Sequence, residues 1–142
     1  MPKNYPKTGV GVIIAKDGKV LVGKRLGNYA PYYSIPGGKF EIGETFEECA
    51  IREIKEETNL DIINPKVIAV TNNMITYKNE GKHYISIVLL AEEFTGELKT
   101  CEPDKCEGWI WVDPHDLPQP HYDASERGID CYLSGECYKK YE

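Results

Sequence analysis

The chain is expected to fold as an α/β (α+β) sandwich around a central mixed sheet, and three observations predict it. Short apolar, β-branched runs recur along the sequence. One long, charge-rich helical stretch interrupts them, and a second helical stretch closes the chain. Strands, one helix, more strands and a late helix suit a sheet with helices packed on its faces. Residues 1–8 carry two prolines and no periodicity and read as a leading arm. Gly9 to Ala15 (GVGVIIA) is apolar and β-branched, the pattern of a buried strand. Lys16-Asp17-Gly18-Lys19 follows as a hairpin turn, because Asp-Gly tolerates the positive φ angles of a type I′ turn. Val20 to Gly23 is the return strand, and Tyr33 to Ile35 is a short strand stopped by Pro36-Gly37-Gly38.

The first helix has a legible start and stop. Thr45 with Glu48 three residues on is a capping box, and Asn59 tolerates the left-handed geometry that ends a helix. The helix is placed over 45–58. Strands are expected at Val67 to Met74, Tyr84 to Leu90 and Trp109 to Val112. Lys78 to Lys82, with Asn79 and Gly81, is expected to turn, and Gly96 to Gly108 to be a polar loop. Ser125 to Leu133 reads as a short helix, with Gly135 just beyond it.

Composition bounds the function. A chain of 142 residues implies one domain, 1–142. No apolar run reaches the ~18 residues of a membrane span. MPKNYPKTG has no apolar signal core, so the expected compartment is the cytoplasm. The formal net charge of −6 argues against DNA or RNA as the main partner. A small anion that arrives with its own cation stays compatible. Five cysteines, an odd count without a CxxC, argue against a disulfide framework and fit reduced thiols. Cys49 reads as a small core residue, and Cys101, Cys106 and His115 fit no zinc spacing.

The segment Gly38 to Leu60, GKFEIGETFEECAIREIKEETNL, carries seven acids against three bases. On a helical wheel Glu53, Glu56 and Glu57 fall within one arc of roughly 100°. Phe46, Cys49 and Ala50 lie on much the same side, so the stripe starts apolar and ends in carboxylates. Clustered, partly buried carboxylates stay ionised only when compensated, and Mg²⁺ or Mn²⁺ is the economical compensator. Taken alone, a glutamate-rich helix is more often a solvated face braced by pairs such as Glu48 with Arg52. The capping box, the fixed spacing and the preceding Pro-Gly-Gly together favour the metal reading.

Gly38, Glu44, Arg52, Glu53, Ile54, Glu56, Glu57 and Leu60 stand at the spacing of the Nudix box, so the chain resembles a Nudix hydrolase. Asn59 stands where that family usually has glycine. GVGVII, VGKRLG, SIPGG and WIWVDPHDLP extend the resemblance over nearly the whole chain. It implies the Nudix fold, an α/β/α sandwich with the box as loop-helix-loop, and hydrolysis of a nucleoside diphosphate linked to another group. It further implies that Glu53, Glu56 and Glu57 are metal ligands, with a carbonyl from Gly37 or Gly38. Arg52 would orient the glutamates by pairing with Glu48 or Glu56, and Glu44 would be structural. Glu56 or Glu53 would accept the proton from water; Glu107 or Glu102 is a second candidate for base or further ligand.

Arg25 and Lys39, with Gly37 and Gly38, are the substrate-binding candidates, and Lys24 joins them as a phosphate contact. Tyr29, Tyr32, Tyr33, Tyr77, Tyr84 and Phe40 are candidates to stack on a base. The downstream markers of the ADP-ribose and NADH branches are not at their places. The chain looks most like the MutT-like branch, which implies a nucleoside triphosphate, ribo or deoxy, an oxidised one included, cleaved to monophosphate and pyrophosphate. ADP-ribose, a dinucleoside polyphosphate or a nucleotide sugar is the alternative substrate. A non-catalytic nucleotide sensor is the alternative of another class, although sensors tend to lose the acids that are complete here. Family relatives often pair, so a homodimer is compatible.

Overall fold

The computed structural model describes residues 4–141. The first strand, β1 (Lys7–Lys16), is longer than expected and begins inside the supposed leading arm, whose residues 1–3 lie outside the described part. It turns into β2 (Lys19–Arg25) through Asp17 and Gly18, both at positive φ, as the Asp-Gly signal requires. Next come β3 (Tyr33–Ser34), β4 (Gly37–Lys39) and α1 (Phe46–Thr58). β5 (Asp61–Ile63), β6 (Lys66–Asn72), α2 (Met74–Glu80) and β7 (Tyr84–Ala91) follow. β8 (Glu93–Thr95), β9 (Cys106–Val112) and α3 (Asp123–Ser134) complete the order.

Seven strands form one mixed sheet in the order β3-β2-β1-β7-β6, with β4 added on β1 and β9 on β2. β7 runs parallel to β1 along its whole length, pairing Gly9 with Ser86 and Gly11 with Val88. Antiparallel β4 pairs Gly9 with Lys39 and Gly11 with Gly37. β1 is buried on both faces, which is why its sequence is an apolar run and not an alternation. Val10, Val12 and Ile14 pack with Cys49, Ala50 and Ile54 of α1. Ile13 packs on the other side with Ile129 and Cys131 of α3. The mixed sheet with helices on both faces is the expected architecture.

Three expectations are corrected. The segment expected to turn at Lys78 to Lys82 is the end of α2, and Gly81 is its left-handed cap. The strand expected to reach Met74 stops at Asn72, because Asn73 starts that helix. β9 starts at Cys106, three residues inside the expected loop, and β5 and β8 form a small separate sheet. These elements depend on tertiary partners: Asp123 of α3 accepts the N–H groups of Ile75 and Thr76 at the start of α2. All five cysteines are free. Among the described residues no helix is long and apolar enough to cross a membrane.

Candidate active site

The site is built at the contact of β4, the start of β1 and the second half of α1. Thr45 and Glu48 form the capping box, each side chain accepting the other residue's backbone N–H at 3.0 and 2.9 Å. Asn59 ends the helix at φ 67°, the left-handed geometry that glycine would otherwise supply. Its side chain adds a bond that glycine could not, donating to the Glu97 carbonyl at 2.9 Å.

Arg52 organises the acids. Its guanidinium forks onto Glu44, Nε to Oε2 at 2.7 Å and an Nη to Oε1 at 2.9 Å. The other Nη donates to Glu53 at 2.9 Å and lies 3.5 Å from Glu56. A further bond reaches the Lys39 carbonyl at 3.2 Å. Of the two expected partners, Glu56 is at ion-pair distance and Glu48 is not, because the capping box holds it; Glu44 is the partner that was not expected. Glu44 lies eight residues away in the loop, a separation that helix periodicity does not flag. The fork holds the Glu44 carboxyl down at about 2, while its two acids push the Arg52 guanidinium further up.

Glu57 is 8% exposed, and its carboxylate accepts the Gly37 N–H at 2.9 Å. Its carbonyl accepts the indole N–H of Trp109 at 3.1 Å, so both ends of the residue are fixed. Burial, followed by the charge of Glu53, pushes the Glu57 carboxyl up to about 8, against the Gly37 N–H and Arg25. Burial also raises Glu53, opposed by Arg52. A buried carboxylate raised by the charge of a half-buried neighbour is what a hard cation would relieve. Glu56 is more exposed. Among the described residues no three acidic, histidine or cysteine side chains converge into a ready-made cage. The donor set of Glu53, Glu56, Glu57 and the Gly37–Gly38 backbone still fits a divalent ion, which wants oxygen ligands and keeps several waters.

Gly37 and Gly38 permit this closeness. A Cβ on Gly37 would fall 2.1 Å from the Val10 carbonyl oxygen. One on Gly38 would fall 2.3 Å from the Glu53 carboxylate. Both glycines line a cleft of about 540 Å³ that also takes in Glu53, Glu56, Glu57 and Arg52. Arg25, Lys39 and Lys105 line it too. Arg25 Nε is buried and, among the described residues, is the single buried side-chain polar atom with no hydrogen-bond partner. A donor left so is costly unless a ligand supplies the acceptor.

Glu107 and Lys24 do not line the cleft: they pair with each other at 3.6 Å, Glu107 exposed and Lys24 partly so. Glu102 lines the cleft in their stead, on a loop tied to α1 by the Cys101 N–H on the Glu57 carbonyl. Of the aromatic candidates, Tyr29 and Tyr84 line the cleft, and Phe40 packs on Phe46. Sequence reasoning missed Tyr122, whose ring lies 5.2 Å from that of Tyr29. No local pattern marks it, because α3 delivers it from the far end of the chain.

A mixed sheet with helices on both faces thus carries one cleft in which carboxylates, cationic side chains and tyrosines meet, a lining suited to a phosphorylated small molecule. The family model described as "NUDIX domain" matches residues 5–130, and the chain belongs to the Nudix hydrolase family. It is 37% identical over 131 residues to the protein named ADP-ribose pyrophosphatase of Methanocaldococcus jannaschii, covering 91% of this chain and 74% of that one. It is 32% identical over 123 residues to the RNA pyrophosphohydrolase of Hydrogenovibrio crunogenus, covering 76% and 73%. The crystal structure of a MutT NUDIX hydrolase from Burkholderia pseudomallei superimposes with a TM-score of 0.82 at 32% identity. That match spans 89% of this chain and 98% of that chain. This protein is accordingly a Nudix hydrolase acting on nucleoside diphosphate-linked substrates, in a family that uses divalent metal ions.

Proposed function

We propose that the protein is a Mg²⁺-dependent diphosphatase that cleaves nucleoside triphosphates, ribo or deoxy, to the monophosphate and pyrophosphate. The observation that carries the reading is the cleft shared by Arg25, whose buried Nε has no partner, and the acids Glu53 and Glu57. Cationic donors beside a cation-seeking acid set match a densely charged polyphosphate. Glu53, Glu56 and Glu57, with a carbonyl from Gly37 or Gly38, would hold the ion, Mg²⁺ before Mn²⁺. Bound there, it would neutralise phosphate charge and acidify a water.

The chain's own residues do the rest. Arg52, locked on Glu44, fixes the Glu53 carboxylate within the cleft. Arg25 and Lys39 hold phosphate oxygens, so the anhydride phosphorus is presented to water in one orientation. Water oxygen bonds to that phosphorus, its proton passes to Glu56 or Glu53, and the bridging P–O bond breaks with its electrons leaving on pyrophosphate. Glu102, which lines the cleft, would be an alternative acceptor. No protein–phosphate bond forms.

A second reading, cleavage of ADP-ribose, is favoured by the name of the M. jannaschii relative. One screen separates them. Triphosphates are assayed for phosphate with and without added pyrophosphatase; ADP-ribose, dinucleoside polyphosphates and sugar nucleotides are assayed with added phosphatase. Triphosphate signal that depends on pyrophosphatase is the expected result. Signal from ADP-ribose alone overturns the triphosphate assignment and keeps the chemistry. No signal from any compound, with EDTA changing nothing, overturns the catalytic reading.

A further inference from the structure

Three serines line the cleft: Ser34, Ser86 and Ser125. Two have committed their hydrogens within the protein. Ser34 donates to the Ile35 carbonyl at 2.9 Å. Ser125 is fixed by its neighbour His121, whose Nδ1 faces the Pro118 carbonyl at 3.1 Å. A carbonyl only accepts, so in the neutral ring Nδ1 carries the proton and Nε2 is bare. The Ser125 hydroxyl therefore donates to Nε2 at 2.7 Å, and its oxygen accepts the Ile35 N–H at 2.9 Å.

Ser86 has the opposite polarity. The Thr71 hydroxyl donates to Asn73 Oδ1 at 2.7 Å, and Asn73 Nδ2 donates to Ser86 Oγ at 3.0 Å. Thr71 and Asn73 are buried, so this is a polar chain run through the core, satisfied link by link, that ends at the cleft wall. It uses a lone pair of Ser86 and leaves the hydrogen free. The position is also open. Ser86 pairs across β7–β1 with Gly9, which has no side chain to cover the hydroxyl. Gly9 pairs on its other side with Lys39, so Ser86 stands two strands, about 10 Å, from β4. Tyr84 lies two residues away on the same strand face and lines the cleft as well.

We propose that Ser86 is a specificity-determining residue: it donates a hydrogen bond to an acceptor atom on the nucleoside part of the substrate, and the Thr71–Asn73 chain holds it in that polarity. The assignment rests on the nucleotide reading above. The acceptor is a base carbonyl or ring nitrogen, or a sugar oxygen, and the experiment separates them.

The test measures kcat and KM for the unaltered protein, Ser86→Ala and Ser86→Thr on ribo- and deoxynucleoside triphosphates of four bases. It adds the Kd of each nucleoside monophosphate in the absence of metal. Threonine suits a strand and keeps the hydroxyl. Ser86→Ala is expected to raise KM and monophosphate Kd roughly tenfold for the favoured nucleotides and to erase their advantage, while Ser86→Thr restores it. Lost discrimination among bases on one sugar identifies a base acceptor; lost ribo–deoxy discrimination identifies a sugar oxygen. An equal fall in kcat on every substrate with the preference intact, or an unchanged Kd, overturns the proposal. An unaltered protein that binds monophosphates but turns nothing over defeats the function reading and leaves this one standing. One that binds no monophosphate defeats both.

Discussion

Adjacent glycines in β4 should fail in different ways when each gains a single methyl group. The Cβ of Gly38→Ala would meet Cδ and Oε2 of Glu53 at 2.3 Å and Oε1 at 2.5 Å. Carbon and oxygen without a covalent bond sit at ~3.3 Å or more, so the carboxylate must retreat by about 1 Å. It is the free end of a side chain and can do so, but only by stretching its 2.9 Å bond to Arg52, which Glu44 holds in place. Displacement of a reacting group by this amount costs on the order of 10²-fold in rate. Stability should barely change, because alanine also narrows the unfolded ensemble.

The Cβ of Gly37→Ala instead meets backbone: 2.1 Å from the Val10 oxygen and 2.9 Å from the Gly11 Cα. That wall cannot turn aside. β4 must part from β1, and Glu57 loses its Gly37 N–H. A cost of about 3 kcal/mol is expected, or roughly 10 °C in Tm for a chain of this size. Thermal unfolding and initial-rate pyrophosphate release on the same preparations make the comparison. A fully active Gly38→Ala protein, or a Gly37→Ala protein that melts with the parent, would refute the steric reasoning.

Three further outcomes are expected. Glu56→Gln should melt with the parent, since the side chain is exposed, and lose nearly all turnover; full activity would remove Glu56 from the metal site. Arg52→Lys cannot reproduce the fork onto Glu44, so it should lower kcat ten- to a hundredfold (roughly, from misplacement of Glu53), while Glu44→Gln mimics it; steady-state kinetics of both and of the double variant would show non-additive losses. Glu57 has a folded pKa of about 8 against an ordinary 4.5. The folded, metal-free protein thus holds a proton that the unfolded chain releases, and this contribution is full below pH 4.5 and lost as pH rises through 8. Melting in EDTA should weaken across that window more steeply for the parent than for Glu57→Gln, and divalent ion should reverse it; parallel profiles would disprove the burial argument.

What the sequence determined by itself was local. Thr45 and Glu48, Asp17-Gly18 and Asn59 each act on backbone within a few residues, so their caps and turns are written in adjacent letters. The buried run of β1 and the spacing of Glu53, Glu56 and Glu57 fix a fold class and an acid stripe for the same reason, because strand and helix have fixed periods. The tertiary structure alone decided what crosses between elements. It gave Arg52 to Glu44 and not Glu48, chose Glu102 over Glu107 for the cleft, and brought Tyr122 beside Tyr29. It folded residues 74–80 as a helix by lending them Asp123, and it ran the Thr71–Asn73 chain to Ser86. These partners are separated in sequence and share no period. Their pairing is set by packing and by the need of each buried donor and acceptor to find a mate, which is settled only when the whole sheet is assembled.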